Sequence, residues 1–135
     1  MRRLVPLVLS AAVLVLLAGA ACGEDDGGGG GSDTAGSRTV PVTEVTVKSP
    51  DISYDVGTIY VPAGEEVTIT YENDDKGVAH NLHIKHEAVG GEEPKTKVAV
   101  GPDVQTITFT MDEPGEYRYV CDVHPQMRGT LVVVG

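Results

Sequence analysis

Basic residues are scarce in this chain. Ten Lys and Arg face 20 Asp and Glu over 135 residues. Arg2 and Arg3 sit in an N-terminal leader that contains no acid, so the remainder has 8 basic and 20 acidic residues and a net charge of −12. A nucleic-acid or anionic-membrane binder carries the opposite sign, which excludes both as surface partners. A basic protein partner and simple solubility both remain compatible with this charge. Cysteine is nearly missing as well, with only Cys22 and Cys121. Export would permit a disulfide between them, but Cys22 stands at the end of the leader, ahead of a glycine-rich stretch. Sustained helical periodicity is absent from Val40 onward.

The leader explains part of this composition. Arg2 and Arg3 precede an apolar run from Leu4 to Ala21 that ends in small residues, the pattern of a secretory signal. Cleavage after Ala18-Gly19-Ala20 would release a soluble protein. An uncleaved run is just long enough to span a membrane. The stretch Leu17-Ala18-Gly19-Ala20-Ala21-Cys22 resembles a bacterial lipoprotein signal, in which the thiol of Cys22 is lipidated. A lone cysteine with a polar glycine-rich tail directly behind it favours that third outcome. Residues 1–21 are therefore read as a signal peptide and 22–39 as a flexible tether. A coil of this composition spans about 20–24 Å over residues 23–38. The domain proper is residues 40–135.

Within that domain the pattern is period two. Val67, Ile69 and Tyr71 share one face and Thr68 and Thr70 the other. Ile107, Phe109 and Met111 alternate with Thr106, Thr108 and Thr110, and Tyr117, Tyr119 and Cys121 with Arg118 and Val120. Asn73-Asp74-Asp75-Lys76-Gly77, Gly90-Gly91-Glu92-Glu93-Pro94 and Asp112-Glu113-Pro114-Gly115 punctuate these runs with turn chemistry. Seven or so short strands over this length predict an antiparallel β-sandwich. Residues 49–56 and 86–96 take no place in the pattern.

The stretch Tyr117–Gly129 carries a thiol, an imidazole and a thioether, Cys121, His124 and Met127, at spacing Cys-x2-His-x2-Met. A strand-like run enters it and another leaves it, so three soft or borderline donors lie on one tight loop. Thiolate, imidazole and a weakly held thioether suit copper, because copper(I) tolerates soft sulfur and copper(II) favours imidazole nitrogen. Zinc takes Cys and His, but a thioether is not among its usual ligands. A structural thiol beside unrelated His and Met residues would make the spacing a coincidence.

A second imidazole is needed, and Val78–Ile84 supplies it. On one strand, His80, Leu82 and Ile84 point to the core and Asn81 and His83 away from it. His80 is thus expected to reach Cys121, His83 to be solvated, and His86 to lie in a loop.

From about Val40 to Gly135 the chain resembles the cupredoxins, small blue copper proteins, and most of all their amicyanin branch. The likeness rests on His80-Asn81-x-His83 and on Gly115-Glu116-Tyr117-x-Tyr119-x-Cys121-x-x-His124-Pro125-x-Met127-Arg128-Gly129. Pro62-Ala63-Gly64-Glu65-x-Val67 and the closing Leu131–Val134 also match. The resemblance implies an all-β Greek-key sandwich or barrel of about eight strands with one copper near one end. His80, Cys121 and His124 would be its near-planar ligands and Met127 the long axial one. Asn81 would brace the ligand loop and Pro125 stiffen it.

These features imply an exported one-electron carrier with a mononuclear blue copper site, residing in the bacterial cell envelope as a monomer. It would be held there by lipid on Cys22 or be free in the periplasm. Its partners would be a redox donor and acceptor, such as a c-type cytochrome or a membrane oxidase or dehydrogenase. Electrons would leave by the His124 edge. The alternative is a copper-binding or delivery protein, but Met1, Met111 and Met127 are the only methionines and form no metal-rich appendage. Catalysis is not expected, since four protein ligands leave no open position for substrate. A Cys-x3-Cys pair for a dinuclear centre is also missing.

Overall fold

The structure, a computed structural model, describes residues 33–86 and 92–135. The leader, Cys22 and the first part of the tether lie outside the described residues. The strands are β1 (Asp33–Ala35), β2 (Glu44–Lys48), β3 (Val56–Pro62), β4 (Glu66–Asn73) and β5 (Ala79–His80). They continue with β6 (His83–Lys85), β7 (Ala99–Val100), β8 (Asp103–Thr110), β9 (Gly115–Val120) and β10 (Arg128–Val134). None of the described residues is helical, and the all-β Greek-key sandwich expected from the sequence is the observed class.

A five-stranded sheet, ordered β1-β3-β10-β9-β6, faces a three-stranded sheet ordered β2-β4-β8. The core between them takes Ile59, Val61, Tyr119, Leu131 and Val133 from the first and Val47, Val67, Ile69, Tyr71 and Phe109 from the second. Alternation in β4 and β9 follows the sequence pattern because each strand has one face on this core. Each such side chain, fully buried, contributes about 1.5–3 kcal/mol relative to exposure.

Three expectations change. The sheets are mixed: β3 runs parallel to both β1 and β10, and β2 runs parallel to β4. Period-two burial is the same for either direction, so the pattern does not distinguish them. The end of the expected tether is folded onto the domain, where β1 pairs with β3 and Ala35 packs against the core. Val78–Ile84 is two short strands, with Asn81 and Leu82 between them outside either ladder.

Residues 49–56 also take a definite place. Tyr54 is fully buried and donates its hydroxyl to the Asn81 carbonyl at 2.7 Å. Its ring packs on those of Tyr71 and Tyr119 at 6.1 and 5.2 Å. This tyrosine cluster lies directly beneath the end of the sandwich where the conspicuous donors meet.

Candidate metal centre

The ligand loop is shaped by its own strands. β9 and β10 pair antiparallel with Val120 opposite Arg128, so residues 121–127 close the ladder as a tight connection. Inside it the Cys121 N–H donates to the Met127 carbonyl at 3.1 Å and the Met127 N–H to the His124 carbonyl at 2.9 Å. These bonds fold the loop back on itself and bury Cys121 and Met127, while Pro125 sits exposed at its turn. Cys121 is a free thiol.

His80 arrives from the opposite side. β5 pairs with β7, placing His80 across from Ala99, and its side chain is fully buried. Its Nδ1 lies 3.0 Å from His124 Nδ1 and 3.8 Å from Cys121 Sγ, with Cys121 Sγ to His124 Nδ1 at 3.9 Å. His80, Cys121 and His124 are the group of the described residues whose donor atoms converge in this way.

The triangle fits a single metal ion. A first-row ion bonded to nitrogen at about 2.0–2.1 Å and to sulfur at about 2.3 Å reaches all three only if N–S gaps stay under about 4.4 Å and N–N gaps under about 4.2 Å. The observed separations meet both conditions. Two imidazoles and a thiolate, with the Met127 thioether buried on the same loop, are a donor set suited to copper.

Asn81 locks the two halves together. Its Oδ1 accepts the Asp122 N–H at 2.8 Å and its Nδ2 donates to Asp122 Oδ2 at 2.9 Å. The expected bracing contact thus runs to the residue directly after Cys121.

His83 is the clear correction. The sequence places it in solvent, but it is 4 % exposed. Asp122 Oδ1 stands 2.8 Å from its Nδ1 and Glu93 Oε2 2.6 Å from its Nε2. The break at Asn81–Leu82 disrupts the alternation, so residues 80–84 are all buried and parity cannot be counted through them. Both nitrogens face carboxylates and neither joins the donor triangle. Partial burial works to raise the pKa of Asp122 and of Glu93, but contact with His83, aided by Asn81 and Lys85 respectively, holds each below the usual carboxylate range. His86 packs its ring on Tyr117 at 5.1 Å.

Asp75 was missed altogether. Its Oδ2 lies 2.9 Å from His80 Nε2, on the far side of the ring from the triangle. Partial burial acts to raise its pKa, but the Ile52 N–H, the His80 ring and the Asp51 N–H outweigh it and keep the carboxyl low. The only sequence signal was a turn-forming cluster, Asn73–Gly77, which says nothing about which acid turns inward.

Comparisons with known proteins agree with this geometry. Amicyanin-alpha of Methylorubrum extorquens is 29% identical over 99 residues, covering 73% of each chain. An auracyanin from Roseiflexus castenholzii, solved in its dithionite-reduced form, superposes with a TM-score of 0.62 at 25% identity, over 70% of this chain and 99% of its own. A variant of amicyanin, solved in its reduced Cu(I) form, matches at 30% identity and a TM-score of 0.53 over 70% of this chain and 85% of that one. The sequence matches the family of the cupredoxin-like domain over residues 8–133. With that match, the mixed β-sandwich and the His/Cys/His cluster at its end, the chain belongs to the cupredoxin family.

Proposed function

We propose that this protein is an exported one-electron carrier that holds one copper ion through His80, Cys121, His124 and Met127. The observation that carries this reading is the convergence of His80 Nδ1, Cys121 Sγ and His124 Nδ1 within 3.0–3.9 Å from two separate segments. Copper bound there would supply a Cu(I)/Cu(II) couple. The chain's own residues supply rigidity: His80 is fastened to β5, and Cys121 and Met127 are tied together through the main chain. A donor set that cannot rearrange suits an ion whose two oxidation states prefer different geometries, because little needs to move when the electron arrives.

Four protein donors leave no position for a substrate, and on that ground we read the protein as a carrier and not an enzyme. His124 is the half-exposed member of the set, whereas His80 and Cys121 are buried. Its edge is the electron exit. The donor and acceptor are redox proteins of the bacterial envelope, of the c-type cytochrome or membrane oxidase or dehydrogenase class, and the acidic surface suits a basic docking face. Lipid on Cys22 keeps the monomer at the membrane. Cys22→Ala would then release it into the soluble exported fraction or block its maturation.

The full chain loaded with copper(II) should be intensely blue, with the spin resonance of a thiolate-bound copper. Repeated reduction and oxidation should leave the ion in place; loss of the ion to an acceptor during cycling would instead favour copper delivery. A colourless protein with an ordinary tetragonal copper signal would overturn the assignment.

A further inference from the structure

Asp75 belongs to none of the donor positions, yet the buried imidazole of the centre is fastened to it. The His80 ring presents Nδ1 to Cys121 and His124 and Nε2 to Asp75 Oδ2 at 2.9 Å. The same carboxylate accepts the N–H of Asp51 on Oδ1 and that of Ile52 on Oδ2, each at 2.8 Å. Asp51 and Ile52 have φ of 50° and 55°, a left-handed conformation in which a β-branched residue is a genuine outlier. Such strain persists only where the surroundings over-determine it. Here it aims two consecutive N–H groups at one anion, a backbone nest.

Asp75 is also fixed from behind. Its own N–H donates to Asn73 Oδ1 at 3.1 Å. Gly101 packs so closely that an added Cβ would come within 2.5 Å of the Asp75 carbonyl oxygen. Two separate segments (the 51–52 turn and Gly101), together with Asn73 of its own turn, therefore converge on one acid.

We propose that Asp75 is the positioning residue of the centre: it accepts the Nε2–H of His80, which leaves Nδ1 as a bare lone pair aimed at the metal. Its fixed negative charge also favours the more positive oxidation state. The inference rests on the copper reading above. Carboxylates that take the second nitrogen of a ligating histidine fix its tautomer and orientation, and losing one typically lowers metal affinity about 10–100-fold.

The test uses the full chain with Asp75→Asn and Asp75→Ala. In copper-free wild type, imidazole ¹⁵N shifts should show His80 protonated at Nε2 alone. Asp75→Ala should lose that single tautomer and bind copper(II) about 10–100-fold more weakly. Asp75→Asn keeps the shape and removes the charge. It should remain blue but lose about tenfold more affinity for copper(II) than for copper(I), which raises the potential by about 59 mV for one electron. If Asp75→Ala does not fold, the Asp75→Asn affinities and potential still decide. An unchanged His80 tautomer together with an unchanged affinity ratio in a blue, folded variant would overturn the proposal. A wild type that takes up no copper would sink the copper reading itself, whereas the ¹⁵N measurement tests Asp75 without any metal.

Discussion

His80 Nδ1 and His124 Nδ1 stand 3.0 Å apart across 44 residues of sequence. Two ring nitrogens at that distance cannot both carry a proton, so the fold brings at least one bare lone pair against its neighbour beside a buried thiol. One N–H facing one lone pair at that distance is a hydrogen bond, and it joins the two segments that supply the donors, which defines which substitutions should matter.

Cys121→Ser should abolish the blue colour, since the colour arises from thiolate-to-copper charge transfer. His80→Ala and His124→Ala should each open the site to water or added imidazole. Met127→Leu should keep the blue band and raise the potential, because only the weak thioether is lost. Visible absorption, spin resonance and voltammetry on the four variants check this. A blue Cys121→Ser protein would show the ligand set to be wrong.

His83→Ala should weaken the fold without touching the colour. It leaves Asp122 and Glu93 without the ring between them, in a place where Lys85 Nζ reaches Glu93 only at 3.4 Å. The variant loses a buried ring whose two nitrogens are both paired, so it should unfold at lower denaturant concentration. Denaturant unfolding measures it. Amide exchange should quicken at Ile84 and Thr96, which donate to Pro94 and Leu82 and hold residues 94–96 to the sheet. Unchanged stability and unchanged exchange would show that His83 is a bystander.

Gly129→Ala should destabilise by about 1–3 kcal/mol, the usual range for overpacking. A Cβ there would fall inside van der Waals contact of the Tyr119 ring, which is fully buried and donates its hydroxyl to the Val56 carbonyl. The ring has nowhere to go. A lower denaturation midpoint at unchanged slope is expected; wild-type stability would mean that β9 and β10 can separate locally.

Alkaline pH should unfold the domain through its tyrosines. Burial is the largest cause for all three: it pushes Tyr71 up to about 12 against the lowering effect of its hydrogen bond with Ser49, and raises Tyr54 and Tyr119 further. A folded pKa above the unfolded value of about 10 means that the native state binds more protons between the two. Stability is therefore fully present below about pH 10 and falls as pH rises through the folded values. Tyrosinate absorbance for these three should appear together with the loss of circular dichroism. Ionisation near pH 10 in a protein that stays folded would contradict it.

How much of this was legible beforehand depends on the range of the interaction. The Cys-x2-His-x2-Met spacing could be read directly because one short loop carries three donors, and its closure is a property of the two strands that it joins. The one-face burial of β4 and β9 could be read for the same reason: pleat and hydrophobicity are local. His80 does reach Cys121, although the continuous strand used to place it there does not exist.

What the sequence could not decide is whatever depends on a distant partner. The direction of pairing between β3 and β10 leaves no trace in alternation. His83 is buried because the chain bends at Asn81–Leu82 and because Asp122 and Glu93 come to meet it. Asp75 reads as one more polar turn residue until the left-handed pair at 51–52 and the close approach of Gly101 turn it toward His80. By itself the sequence determined the candidate donors and the sandwich, because those follow from spacing and periodicity. Only the tertiary structure decided what surrounds the donors, because a carboxylate's role is set by which groups desolvate it and donate to it, and these come from segments far apart in the chain.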